Sequence, residues 1–114
     1  MTLIFHCCPR AAWDLAVAQG VYSADSLAQE GFIHCSTPAQ ILAVANARFR
    51  GQVGLVLLCL DSERIVGELR YENLEGGTQL FPHVYGPINL DAVRQVVDFL
   101  PEADGSFRTL AIPG

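Results

Sequence analysis

The sequence predicts an α+β fold, a single small mixed α/β domain over residues 1–114. A length of 114 residues suits one domain with one hydrophobic core. Hydrophobic residues make up 51% of the chain and charged residues only 17%, which is the balance of a packed protein and not of a disordered segment. Strand-like and helix-like segments follow one another in mixed order, which favours an α+β or mixed-sheet architecture over a doubly wound one.

The first third of the chain is predicted to form one strand and two helices. Leu3–Cys7 is a short apolar run typical of a strand. A helix is expected from Pro9 to Gln19, because proline suits the first helical turn and apolar residues then recur at helical spacing. Ser26–Glu30 is predicted as a second, shorter helix. A glycine follows each helix as its C-terminal stop: Gly20 and Gly31.

The next segment is predicted as strand, turn and helix. Phe32–Cys35 is the strand. Thr37 at the N-cap, Pro38 at the first helical position and Gln40 three residues after the cap form a capping box. The helix then continues to a stop at Gly51.

Three further strands are predicted after this helix. Val53–Leu60 is nearly continuous in apolar residues, which suits a central strand covered on both faces. Ile65–Tyr71 is the next strand, and a flexible loop follows at Glu75–Thr78. Leu80–Ile88 is predicted to lie at a sheet edge or to bend sharply, because Pro82 cannot donate a ladder hydrogen bond.

The end of the chain is predicted as a helix and a last strand. The helix begins at Asn89 or Asp91 and ends at Leu100, because the valines between them recur at helical spacing and Pro101 follows. The last strand is Phe107–Ile112.

Charge and composition exclude several classes of protein. The net charge of −5 repels phosphate backbones and anionic membrane surfaces. All seven basic residues are dispersed arginines, which form no stripe of the kind that a nucleic-acid groove requires. The N-terminus has no signal-peptide pattern, and the most apolar run, Val53–Leu60, is too short to cross a bilayer. We therefore expect a cytoplasmic protein that binds neither nucleic acid nor membranes.

The cysteines and histidines do not have the spacing of a metal site. Four cysteines occur without a CxxC pair, and adjacent Cys7 and Cys8 on a strand face opposite sides. His6, His34 and His83 are not separated by the short loops that bring together zinc ligands. We predict reduced cysteines that pack as small hydrophobic residues and no bound metal.

The first candidate site lies at the end of the second predicted strand. Alternate strand residues share a face, so Phe32, His34 and Ser36 point one way while Ile33 and Cys35 point toward the core. The helix that begins in the following residues, which include Thr37 and Gln40, adds free backbone N–H groups and affinity for an anion. The alternative is that His34 is a half-buried structural histidine and Ser36 a turn residue.

The second candidate site is the strand around His83. Phe81, His83 and Tyr85 share a face by the same alternation, and aromatic rings beside a titratable histidine commonly line a small-molecule pocket. Glu72, a carboxylate at the end of the preceding predicted strand, would hold a ribose hydroxyl or stabilise positive charge on a sugar carbon. The alternatives are a packed aromatic edge and, for Glu68, Arg70 and Glu72, a solvated strand face.

Two segments of the chain resemble the signature blocks of a bacterial family known as domain of unknown function 952. These are GFIHCSTPAQ (31–40) and FPHVYGPI (81–88). That family has no established activity and is similar in fold to the ADP-ribosyltransferases, which cleave NAD at the nicotinamide–ribose bond. The resemblance therefore implies an ADP-ribosylation-like fold with NAD as the substrate.

The resemblance also implies roles for particular residues. His34 and Ser36 match the histidine and hydroxyl residue that hold the nicotinamide ribose, and Tyr85 matches the aromatic residue that stacks on nicotinamide. Glu72 takes the place of the glutamate that steadies an oxocarbenium-like transition state, and His83 fits a phosphate or ribose contact. His34 and Glu72 are thus the catalytic candidates. The ligand-binding candidates are Ser36, Thr37, Gln40, Phe81, His83 and Tyr85.

The sequence leaves three functions open. The first is a pocket for a nucleotide-like or NAD-like small molecule, which in an enzyme would serve glycosyl or phosphoryl transfer of the ADP-ribosyltransferase kind. The second is a noncatalytic module that binds a small molecule or a protein through the same pocket. The third is a protein in which both histidine segments are structural and another surface carries the function.

Overall fold

Antiparallel sheets and three helices make up the fold in the computed structural model, which describes residues 2–74, 76–108 and 110. The strands are β1 (Leu3–Pro9), β2 (Val21–Tyr22), β3 (Ile33–His34), β4 (Leu55–Asp61), β5 (Glu68–Glu72), β6 (Phe81–Tyr85), β7 (Ile88–Asn89) and β8 (Val93–Phe99). The helices are α1 (Arg10–Gln19), α2 (Asp25–Glu30) and α3 (Ile41–Arg48). This architecture confirms the predicted α+β class.

The first sheet has the order β1-β4-β8, with every pair antiparallel. All seven residues of β4 are buried, which confirms the prediction of a central strand covered on both faces. Its alternate side chains pack into two hydrophobic clusters, one on each face, and Leu58 belongs to the first while Leu57 belongs to the second. Burying a leucine side chain fully contributes about 1.5–3 kcal/mol, so this strand is a major source of stability.

The second sheet has the order β3-β6-β5 and is joined to the first by a single bridge. Ser36 and Phe5 exchange two backbone hydrogen bonds of 2.8 Å, which place the end of β3 beside β1. A further two-stranded sheet pairs β2 with β7 and was not predicted, because two-residue strands carry no periodicity that a sequence can show.

Of the two predictions for the strand around Pro82, an edge position or a sharp bend, the edge position is wrong, because β6 is the middle strand of its sheet. The Pro82 carbonyl accepts a hydrogen bond of 3.0 Å from the N–H of Cys35. Pro82 has no N–H to return the second bond of that pair, so the β3–β6 ladder stops there. Ser36 is thereby free to turn toward Phe5. The proline ends the pairing of β3 without removing β6 from the sheet centre.

The prediction of a helix that ends at Leu100 is also wrong, because most of that segment forms β8. The register between β4 and β8 shifts after one bulge: Leu58 lies opposite Val96, and Leu60 lies opposite Val93. The extra residue of the bulge puts Val93 and Val96 on one face although they are three positions apart. A bulged strand therefore has the same spacing of apolar residues as a helix, and this is why the sequence predicted a helix here.

The three helices exist as predicted, but both ends of α3 differ: it ends at Arg48 with Phe49 as its C-cap, and not at Gly51. Gly20 and Gly31 end α1 and α2 with positive φ angles of 85° and 90°, which confirms both as C-terminal stops. α3 begins at Ile41, not at Pro38, because residues 38–40 form a turn. One half of the capping box exists nevertheless, since Gln40 Oε1 accepts a hydrogen bond of 3.1 Å from the Thr37 N–H.

The remaining predictions concern the cysteines and the chain end. All four cysteines are free, and three of them are buried. Within the described part of the chain, no helix combines the length and apolarity needed to span a membrane, and no cluster of histidine, cysteine and carboxylate side chains forms a metal site. Phe107 and Arg108 lie outside any strand. Most of the predicted loop 75–78 is irregular chain. Glu75 and residues 109, 111 and 112 of these two predictions lie outside the described residues.

Candidate functional site

A cavity of about 340 Å³ opens between β1, α2, β3, α3 and the start of β6. Apolar side chains form part of its lining and include Phe5, Ile41, Val44 and Phe49. Polar residues also line it. These are His6, Ser26, Glu30, His34, Ser36, Arg48 and His83.

His34 and His83 face one another across adjacent strands at this cavity. The antiparallel register of β3 and β6 pairs the two residues directly. Their ring centroids are 5.5 Å apart, with the rings close to perpendicular. Phe32, two residues before His34 on the same face, stacks on the His83 ring at 4.2 Å and meets the His34 ring edge-on at 4.8 Å. Strand alternation thus brings three rings together, and they share one wall.

A carboxylate lies against each histidine. Glu30, the last residue of α2, places Oε2 2.9 Å from Nε2 of His34, whose side chain is 33% exposed. Glu72, on β5, places Oε1 3.1 Å from Nδ1 of His83, whose side chain is only 6% exposed. His34 therefore stands at the mouth of the cavity, and His83 is buried in its wall.

Glu72 holds a second partner on the same oxygen. The Tyr85 hydroxyl donates a hydrogen bond of 2.5 Å to Oε1 of Glu72. Hydrogen bonds from Tyr85 and His83 lower the pKa of Glu72, and the bond to the carboxylate raises the pKa of Tyr85. The guanidinium of Arg70 lies 4.5 Å above the Tyr85 ring and is paired with Glu68. Glu72 is thus an ionised carboxylate that orients His83.

His6 is a third histidine of the site, and its place in the sequence had suggested only a metal ligand. Its Nδ1–H donates a hydrogen bond of 2.6 Å to the His34 carbonyl, and its Nε2 accepts one of 2.6 Å from the Tyr22 hydroxyl. Burial lowers the pKa of His6 to about 4, so its imidazole is neutral at pH 7. His6 therefore fixes the backbone of β3 and also forms part of the cavity lining. The sequence did carry a signal for this buried role, because His6 is a histidine within an apolar strand.

The eight site residues predicted from the sequence fall into two groups. Four of them line the cavity: His34, Ser36, Phe81 and His83. The other four are not among the described residues that line it: Thr37, Gln40, Glu72 and Tyr85.

Gln40 and Thr37 form hydrogen bonds just before the start of α3. The Gln40 amide donates a hydrogen bond of 2.8 Å to the Leu80 carbonyl, while its oxygen accepts from Thr37. Both polar groups of Gln40 are therefore used to hold the chain before β6 against the helix start. Glu72 and Tyr85 lie behind His83.

Sequence reasoning missed three polar residues of the cavity. Ser26 and Glu30 come from α2, and Arg48 comes from the last turn of α3. Helical spacing alone does not show which neighbour a polar helix face meets, so only the packing of α2 and α3 against β3 reveals them. Glu30 had a local signal, because it precedes His34 by four residues.

The family comparison covers both histidine segments. A family model described as "Protein of unknown function (DUF952)" matches residues 7–96. This chain belongs to the DUF952 family. The family predicted from the two sequence blocks is thereby confirmed.

Solved structures agree with the fold of this DUF952 chain. It is similar to the crystal structure of protein CC0527 from Caulobacter crescentus, with a TM-score of 0.83 and 41% identity over 94% of each chain. The solution NMR structure of CC0527 gives a TM-score of 0.82 and 38% identity over 95% of this chain and 93% of that one. No curated protein matches the sequence. Similarity to ADP-ribosyltransferases stays a prediction, because none of these matches names such an enzyme.

Proposed function

We propose that this DUF952 domain binds a nucleotide-like small molecule in the cavity between His34 and His83. The observation that carries the proposal is the meeting of three rings, those of Phe32, His34 and His83, at one cavity wall. Aromatic and imidazole faces of this kind stack on planar heterocycles. A nucleobase or a nicotinamide ring is therefore the ligand part that this wall suits best.

The size of the cavity limits how much ligand it can enclose. Its volume of about 340 Å³ lies near the lower end of the range found for small-molecule sites. A planar ring with one sugar fits that volume. A dinucleotide such as NAD would extend its second half beyond the cavity.

The polar groups suit the sugar and phosphate of such a ligand. Ser36, at 4% exposure, makes no side-chain hydrogen bond to any residue that the structure describes, and it lines the cavity. Arg48 adds a guanidinium, which is the preferred partner of a phosphate. The one carboxylate that lines the described part of the cavity, Glu30, is paired with His34. A local anion is therefore tolerated in a chain whose net charge is −5.

Binding is tested by amide NMR shifts during titration with nicotinamide mononucleotide, adenosine monophosphate, ADP-ribose and NAD. We expect saturable shifts confined to the residues around the cavity. Arg48→Ala should weaken binding of the phosphorylated ligands about tenfold, because a charge-assisted hydrogen bond is lost. Arg50→Ala is the matched control, since Arg50 contacts the Asp104 carbonyl and does not line the cavity. Absence of any shift at millimolar ligand would refute the proposal.

Two uses of this binding site are distinguished by turnover. As an ADP-ribosyltransferase relative, the domain would release nicotinamide from NAD, and Glu72→Gln would lower kcat for this release, because it removes the carboxylate that orients His83. As a noncatalytic module, it would bind without consuming the ligand. Glu68→Gln is the matched control, because Glu68 lies on the same strand face and its hydrogen bonds within the described residues are to Arg70.

A further inference from the structure

The two ring nitrogens of His83 have different surroundings. Nδ1 lies 3.1 Å from Oε1 of Glu72. Nε2 makes no hydrogen bond to any group in the described ranges, although the side chain is only 6% exposed. No fully enclosed side-chain nitrogen or oxygen there lacks a partner. Nε2 is therefore not fully enclosed, and it belongs to a side chain that lines the cavity.

Glu72 determines which nitrogen of His83 carries the proton. An ionised carboxylate only accepts hydrogen bonds, so the Nδ1 that faces it is the N–H donor. In a neutral imidazole the lone pair then resides on Nε2. Glu72 stays ionised because Oε1 also accepts the Tyr85 hydroxyl at 2.5 Å.

The orientation of the imidazole is fixed as well as its tautomer. Phe32 stacks on one face of the ring, with a centroid distance of 4.2 Å and an interplanar angle of 27°. A 180° flip of the ring would keep its plane against Phe32 but would move Nδ1 away from Glu72, so the bond to Glu72 fixes the orientation of the ring within that plane. A preorganised acceptor at a cavity wall selects ligands that present a donor there.

We propose that Nε2 of His83 accepts a hydrogen bond from a ribose hydroxyl of the ligand and thereby selects ribonucleotides over deoxyribonucleotides. This inference rests on the proposed nucleotide-binding function. A phosphate dianion and a carbonyl oxygen have no proton to donate to Nε2. Of the two contacts predicted for His83, ribose or phosphate, the geometry thus favours ribose.

The size of the selection follows from the burial of the acceptor. A ligand without the hydroxyl leaves Nε2 desolvated and unpaired, which lowers affinity by roughly 5- to 150-fold. A ligand that keeps the hydroxyl pays no such penalty. The stacking contribution of the base is the same in both cases.

The experiment measures dissociation constants calorimetrically for adenosine monophosphate and its 2′-deoxy and 3′-deoxy analogues. We expect one of the two analogues to bind at least fivefold more weakly than the ribonucleotide. Equal affinities within twofold for all three would overturn this inference and leave the proposed function intact. Failure of all three, and of nicotinamide mononucleotide, to bind would refute both.

Variants then assign the selection to His83. His83→Phe keeps a ring against Phe32 but removes the acceptor, so the affinity ratio should fall to about one. Glu72→Ala releases the tautomer and should lower the ratio several-fold, while Glu68→Ala should leave it unchanged. An unchanged ratio in His83→Phe would contradict the proposal.

Nitrogen NMR of the wild-type imidazole gives a readout that does not depend on any variant folding. The ¹⁵N shifts and two-bond couplings of His83 distinguish the two neutral tautomers. We expect the proton on Nδ1 at pH 7.5. A proton on Nε2 would refute the proposal directly.

Discussion

Acidification is expected to destabilise the protein through His6 before most of the carboxylates titrate. Burial lowers the pKa of His6 from 6.5 to about 4. The native state therefore binds fewer protons than the unfolded state between these values, and stability falls as the pH drops below 6.5. Protonation would also place an N–H on Nε2, which now accepts the Tyr22 hydroxyl, so the buried network would lose that bond.

The magnitude follows from the two pKa values. Proton linkage gives a loss in free energy of unfolding of about 2 kcal/mol at pH 5 and about 3 kcal/mol at pH 4, relative to pH 8. The loss begins near pH 6.5, which is the ordinary pKa of histidine, and levels off below pH 4. Such a loss is a large fraction of the stability of a small domain.

The assay is urea unfolding at pH values from 8 to 4.5, for the wild type and for His6→Gln. We expect the variant to be less stable at pH 8, because it loses buried hydrogen bonds, but to depend less on pH by about 2 kcal/mol between pH 8 and 5. The comparison cancels the contributions of His34, His83 and the carboxylates, which both proteins share. Parallel pH profiles for the two proteins would refute the assignment to His6.

Three further predictions test the core and its chemistry. Leu58→Ala should lower the free energy of unfolding by about 2–5 kcal/mol in urea titrations, because it leaves a cavity in the fully buried β4; a loss below 1 kcal/mol would contradict this packing. Burial raises the pKa of Cys35 to about 12 and that of Cys59 to about 11, so both thiols should react with a disulfide reagent at pH 8 far more slowly in the native protein than in urea. Gly31→Ala should cost about 1 kcal/mol by thermal unfolding, because the φ angle of 90° strains any side chain although space is free; an unchanged melting temperature would contradict that conformation.

Part of the candidate site was predictable because strand alternation is local. A strand that contains Phe32 and His34 must turn both side chains to one face, and both line the cavity wall as expected. The same rule placed His83 and Phe81 together. It also placed Tyr85 on that face, but Tyr85 turns its hydroxyl to Glu72 and does not line the cavity among the described residues.

Periodicity failed where two structures share one spacing. Val93 and Val96 have the spacing of a helix, and a bulge in β8 gives a strand the same pattern on one face. Pro82 predicted an edge strand or a sharp bend, because a residue without a backbone N–H is normally excluded from a central strand. The carbonyl of Pro82 faces the end of the very short β3. The missing N–H therefore ends the β3–β6 ladder and leaves the β5–β6 ladder intact.

The sequence by itself determined the class of the fold, its buried central strand, the helix stops at Gly20 and Gly31, and the faces that carry His34 and His83, because each depends on residues within one or two turns or one strand. Only the tertiary structure decided that Glu30 contacts His34 and that Glu72 contacts His83. It also decided that His6 bonds to the backbone of β3 and that Arg48 lines the same cavity. These relations join residues from different elements. Their distances are set by sheet register and helix packing, which no local pattern of residues encodes.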